Sequence, residues 1–228
     1  MKCLNGIFGL FLLITGLQSC KKENDSVSIK DADGNIYQSI QIGTQVWLTE
    51  NLKTTKYSNG NLIGTTSPAT LNIYNESSPK YQWAYEADEN NAVIYGRLYT
   101  WFAATDSRNI CPTGWHLPAN SEWATLVTFL GGENEAGGKL KEIGLTHWVT
   151  SNGGATNTSG FTALPGGWRY YGGGSEYMGY FGYWWSSTTE TSDEAWYRAM
   201  NYGEGNINEN AGIPNIKKYG LSVRCVKN

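Results

Sequence analysis

The chain has 228 residues, 17 basic against 20 acidic side chains, a net charge of −3 and a charged fraction of only 16%. That mild acidity excludes a nucleic-acid partner, whose phosphates demand a basic face. Twenty-eight glycines and 14% aromatic residues indicate a rigid, turn-rich exported domain, not a helical bundle or a disordered chain.

The N-terminus reads as a processing segment. Lys2 supplies a positive start and residues 7–14 an apolar core, shorter than the ~20 residues a membrane-spanning helix needs. Leu17-Gln18-Ser19-Cys20 then resembles the bacterial lipobox, in which the cysteine is acylated and becomes the first residue. The expected organisation is a signal peptide over 1–19, a lipidated N-terminus and tether over 20–26, and one domain over 27–228. Acyl chains on Cys20 would anchor the protein stably, so its expected partner is the membrane, through lipid alone. The charged start Lys21-Lys22-Glu23 resembles surface-export signals of Bacteroidetes-type lipoproteins. The expected location is the outer membrane, periplasmic or surface-facing, as a monomer. Loss of the leader removes Lys2 and moves the net charge from −3 to −4. Roughly 200 residues remain, enough for a real core.

Cysteine usage extends this picture. Cys3 leaves with the leader and Cys20 is committed to lipid, so Cys111 and Cys225 remain in an oxidising compartment, where they are expected to pair.

Along the domain, Asp31-Ala32-Asp33-Gly34-Asn35 fails as an EF-hand, because Ile36 and Ile42 stand where glycine and glutamate are required. It predicts a hairpin turn between residues 27–29 and 36–40. Gly43-Thr44-Gln45 leads into a third strand at 46–48, and residues 52–85 read as a long surface excursion. Leu98, Trp101 and Phe102 are spaced i, i+3, i+4 and predict a short helix over 95–104. Trp123, Leu126, Val127 and Leu130 predict a second, with Asn120 as N-cap and Gly131-Gly132 as its stop. Residues 137–141 suggest one more helical turn. Beyond Trp148 the pattern is of short strands and glycine turns, and residues 221–226 alternate as a half-buried strand should. The fold class is α+β: a single domain with two main helices, many short antiparallel strands, long loops and one disulfide.

These blocks carry a resemblance. "DADGNIYQSIQIGTQVWLTENLKTTKYSNG", "YGRLYTWFAA", "CPTGWHLPANSEW", "GGKLKEIG", "SGFTALPGGWRYYGG", "YWWSSTTE" and "GLSVRCVKN" resemble, in that order, the Fibrobacter succinogenes major paralogous domain of exported bacterial proteins. The resemblance implies a fold and a location and no particular activity. More distantly, "GWHLPANSEW" with a C-terminal "GLSVRC" is similar to the scaffold shared by sulfatase-modifying-factor proteins and C-type lectin-like domains. This implies a C-type-lectin-like architecture in which Cys111, ahead of the Gly-Trp-His-Leu-Pro turn, pairs with Cys225 in the final strand. The related motif carries Ser or Thr where this chain has Ala119, although Glu122 is present.

For catalysis the sequence offers little. Formylglycine-generating chemistry needs redox-capable thiols beyond any structural disulfide, and this chain has none to spare. His116 and His147 lack metal-site spacing, and His116 inside a stapled turn reads as structural. A hydrolase or sulfatase-modifying-factor-like enzyme on the same scaffold is the alternative function. The binding expectation rests on residues 166–185, where nine of twenty side chains are aromatic and glycines space them. Such rings suit sugar faces or partner proteins. About half of them are expected in the core. Trp168, Tyr170, Tyr171 and Tyr177, flanking a flexible Gly172-Gly173-Gly174, are the expected exposed ligand-binding residues for a glycan or a surface protein. No cofactor or metal is expected. Calcium on the oxygen-rich Glu204, Asn206, Asn208, Glu209 and Asn210 is the lesser alternative, because the lectin ligand triplet is missing at Ile213-Pro214-Asn215.

Overall fold

A computed structural model describes residues 28–214 and 216–228. The signal peptide, Cys20 and the tether lie outside these residues, as does Asn215. The fold is α+β. Strands β1 (Ile29–Lys30) and β2 (Ile36–Tyr37) form the expected hairpin. Its turn is built by Asp31, whose carboxylate accepts from the amides of Asp33 and Asn35 and from the Tyr37 hydroxyl. Asp33 is engaged by Thr54, Thr55 and Lys56, so the two carboxylates of this calcium-like stretch already hold protein donors.

Strands β3 (Ser39–Ile42) and β4 (Gln45–Leu48) follow. The surface excursion is irregular but not loose. Leu52, Tyr57, Ile63 and Ile73 are all buried, and β5 (Gln82–Trp83) ends the segment in a sheet. Helix α1 (Glu89–Tyr95) was not expected from the sequence; the Asp88 carboxylate caps it by accepting from the Asn90 amide. Gly96, at φ +80°, ends it.

The helix predicted over 95–104 is not formed as such. Strand β6 (Leu98–Tyr99) pairs with β5, and only α2 (Trp101–Ala104) is helical. The spacing misled because Leu98 is buried by strand pairing and not by a helical face.

After β7 (Trp115–His116), helix α3 (Asn120–Phe129) buries Trp123, Leu126, Val127 and Leu130 as their period requires. The N-cap expectation is corrected. Ala119 occupies the cap position, and its amide donates to Glu122 Oε2 at 2.8 Å. The Asn120 amide donates to Thr188 Oγ1, while the Asn120 side-chain oxygen accepts from Arg198. A strand hydroxyl therefore covers the helix start that a cap side chain would serve. Helix α4 (Glu133–Leu140) is longer than the single turn expected.

The remaining strands are β8 (Gly166–Arg169), β9 (Ser175–Met178), β10 (Phe181–Thr189), β11 (Ala195–Asn201), β12 (Asn208–Glu209) and β13 (Val226–Lys227). One sheet runs β12-β11-β10-β8-β9 and another β3-β4-β13-β7. Pairing is mostly antiparallel, but β8 and β10 run parallel, with Gly167 opposite Gly182.

Residues alternate across the five-stranded sheet, as a pleat requires. Tyr183, Trp185, Tyr197 and Trp168 enter one core. Trp184 and Met200 enter the other, with Trp47, Trp123 and Phe161. The terminal run 221–226 is buried at every position rather than on one face, because it threads between the two sheets.

Three of the buried cations, Lys141, Arg169 and Arg224, fasten this loop-rich chain. None donates to a carboxylate. Lys141 Nζ donates to the carbonyls of Gly153, Asn201 and Glu204. Arg224 donates to Leu48 O, Phe161 O and the Asn51 side chain. Burial pushes their pKa values down, Lys141 to about 8 and Arg224 to about 9. Backbone carbonyls that no strand partner serves thereby find donors.

Candidate aromatic cleft

Of the nine rings in residues 166–185, Trp168, Tyr183, Trp184 and Trp185 are buried, Tyr170, Tyr171 and Phe181 half-buried, and Tyr177 and Tyr180 exposed. The division into core and surface holds, but one assignment needs correction. Trp168 is 6% exposed. It points into the same core as Tyr183, its neighbour across the parallel pair.

Of the glycines between these rings, Gly173 is buried in a tight turn, while Gly174 is exposed with open space around it. Tyr170 donates its amide to Gly174 O at 2.7 Å and accepts from the Gly173 amide at 2.9 Å, closing a tight turn. Gly173 sits at φ +112°, and a Cβ there would stand 1.9 Å from Thr70 O. Glycine serves close backbone approach here. Arg169 completes the clamp by donating to Ala69 O and Leu71 O while its guanidinium lies 3.8 Å from the Trp83 ring centroid. Burial lowers its pKa to about 10.

The Ile73 amide donates to Tyr171 O, so residues 69–74 are sewn along the glycine turn and Tyr74 is delivered beside Tyr171. The rings form a ladder. Tyr74 and Tyr171 have centroids 5.1 Å apart, Tyr170 and Tyr171 4.1 Å, and Tyr171 stacks on Tyr219 at 5.5 Å and 17°. Tyr219, 3% exposed, rests edge-on against Trp168 at 4.5 Å. Burial holds the Tyr219 phenol well above its usual range, and a hydrogen bond to Tyr170 raises that of Tyr171. Both remain neutral at physiological pH.

Tyr74 is 57% exposed and also lines a cleft of about 420 Å³. The other walls include Phe102, Asp193, Glu194, Lys217 and Lys218. Lys217 is buried, with its ammonium on Thr189 Oγ1, Thr191 O and Ser192 O and 4.5 Å above the Trp101 ring. Desolvation lowers its pKa. It fixes the β10–β11 hairpin against the segment that carries Tyr219. Lys218 donates to Tyr74 O at 2.6 Å. The cleft thus has an aromatic edge, two lysines held in place and two carboxylates among its walls; the ring can stack on a flat apolar face and the carboxylates can accept from hydroxyls around it.

Tyr170 and Tyr171 therefore come together as expected, above the buried Trp168. Tyr177, 48% exposed and at φ +64°, packs instead against Phe181 at 5.5 Å. Tyr74, Lys217, Lys218, Asp193 and Glu194 escaped the sequence reading. Only the pairing of residue 73 with 171 places Tyr74 here, and no local pattern announces that pairing.

Part of the oxygen-rich loop is engaged by protein groups, while the buried Asn206 Oδ1 has no protein partner. Glu204 accepts from Asn201 and Asn206, Glu209 pairs with Arg198, and the Asn210 side-chain Nδ2 donates to Glu190. Among the described residues, no three of the His, Cys, Asp and Glu side chains gather as a metal site. His116 lies between Asn228 and Glu122, and His147 beside Glu142 at 2.8 Å.

Cys111 and Cys225 are joined in a disulfide across 114 positions, with Cα atoms 6.1 Å apart. Both thiols of the described residues are thereby bonded. The opening corner of "CPTGWHLPANSEW" is a scaffold element, tied to the last strand.

Residues 40–227 match the Fibrobacter succinogenes major domain. The chain belongs to this family. The match takes in the disulfide, the tyrosine ladder and every wall of the cleft, and leaves the β1–β2 hairpin outside. No curated protein and no solved structure matches the chain.

Proposed function

We propose that this member of the Fibrobacter succinogenes major domain family is a lipid-anchored exported binding module, and that it captures a glycan in the aromatic cleft. One observation carries the reading: Tyr74 lines the cleft and rests, tilted, against Tyr171, which stacks on the buried Tyr219. Rings held in a ladder lose little freedom on binding, which favours stacking against a sugar face. A protein partner would need about 800 Å² on this side, whereas a concave site of about 420 Å³ suits one or two sugar rings. No catalytic role is expected, because both described cysteines are bonded and neither histidine is paired with a serine hydroxyl. The disulfide joins the two positions that a C-type-lectin-like architecture requires, which supports that reading of the scaffold.

The test is a glycan array probed with the soluble domain and with Tyr74→Ala and Tyr171→Ala. Capture of a glycan by the unaltered domain, lost in both variants, is the expected result, with a nearly unchanged melting temperature for Tyr74→Ala and a modest drop for Tyr171→Ala, whose half-buried ring stacks on Tyr219. An exposed ring contributes contact area to a ligand and little to the core. Capture that survives both substitutions would contradict the assignment. Turnover of a glycoside or a sulfatase peptide would favour the enzyme alternative.

Anchoring is read from the lipobox. Cys20→Ser is expected to abolish fatty-acid labelling and leave the protein unprocessed or released from membranes. Unchanged labelling and fractionation would refute acylation at Cys20.

A further inference from the structure

The described chain begins in a groove of about 530 Å³ on the four-stranded sheet, away from the walls of the aromatic cleft. Ser28, Ile29 and Lys30 form one wall, and Val46, Trp115 and Lys227 are among the others. Its two charged linings are both ammonium groups on exposed residues, and no carboxylate lines it. The ion pairs among the described residues involve other cations, so Lys30 and Lys227 stand without acidic partners. Ile29 and Val46 are half-buried beneath them.

We infer that this groove is the membrane-facing surface of the protein and receives the phosphate of anionic phospholipid headgroups. The inference rests on acylation at Cys20, and the length of chain before the groove carries it. Eight peptide steps separate Cys20 from Ser28, which at about 3.5 Å each span at most ~28 Å. A tether of that length keeps the groove at the chain's entry within ~28 Å of the lipid anchor. Lysines close to an anionic leaflet are attracted to it within a Debye length. The aromatic cleft shares no wall with this groove and remains free for ligand.

The experiment uses the full lipidated chain on vesicles of phosphatidylglycerol and, separately, phosphatidylcholine, with amine acetylation read by mass spectrometry. On phosphatidylglycerol, Lys30 and Lys227 should label several-fold more slowly than on phosphatidylcholine, while Lys80 labels equally on both. The difference should vanish at ~1 M salt, where the Debye length falls to about 3 Å. Equal labelling of Lys30 and Lys227 on the two vesicles, with the chain still bound to both, would overturn this inference and leave the anchor intact. Failure of the chain to bind either vesicle would overturn both the anchor and the groove assignment.

Discussion

Replacing Cys111 and Cys225 together by alanine is expected to cost about 4–5 kcal/mol, by the chain-entropy account of a loop longer than a hundred residues. In a domain of this size that corresponds to a melting temperature lower by roughly 10–20 °C. The location of the bond is the physical reason. Cys225 follows Arg224, whose guanidinium is held by Asn51, Leu48 and Phe161, and precedes β13, which lies between β4 and β7. The Cys225 carbonyl also accepts from the Leu48 amide. Without the cross-link, the last strand can leave the centre of the four-stranded sheet at the entropic gain of a free terminus. Calorimetry of the double variant checks this; a shift of under ~2 °C would show that the other contacts of the strand suffice.

Trp168→Ala is expected to cost about 3–5 kcal/mol, the range for truncating a buried tryptophan. The ring is the floor under Tyr219 and an edge partner of Tyr170, so stability and ligand capture should fall together. Tyr171→Ala, one layer higher and half-buried, should lose capture with a smaller loss of stability. Trp168→Phe provides the control. The Trp168 Nε1 has no protein partner, so losing the N–H removes no hydrogen bond, and most of the stability should return. Denaturant unfolding of the three variants separates these outcomes. A Trp168→Ala domain as stable as the unaltered protein would place this ring outside the core.

The parts of the fold legible in the sequence are those specified locally. The β1–β2 hairpin follows from an Asp-Gly-Asn turn whose own side chains satisfy its backbone. Helix α3 follows from four apolar residues on one face, all of which are buried. The disulfide follows from compartment and count. Long-range pairing decided the rest. Leu98 obeys a helical spacing yet pairs with Trp83 as a strand, and residues 221–226 alternate as a half-buried strand yet are buried at every position, with bridges to Tyr99 and Trp184 from elsewhere in the chain. At the cleft, alternation among glycine-spaced rings does not say which ring faces in, so Trp168 looked exposed. The parallel register beside β10 turns it inward. At Gly173 the space of the missing side chain is filled by the backbone at Thr70, a hundred residues away in sequence.

The most direct test of the central claim is a titration of the tyrosine-labelled soluble domain with the glycan it captures, followed by aromatic NMR shifts. The account predicts saturable shifts at Tyr74 and Tyr171, smaller ones at Tyr170 and Tyr219, and none at Tyr177 or Tyr180. Shifts confined to Tyr177 and Tyr180, with Tyr74 and Tyr171 unmoved at saturation, would contradict it.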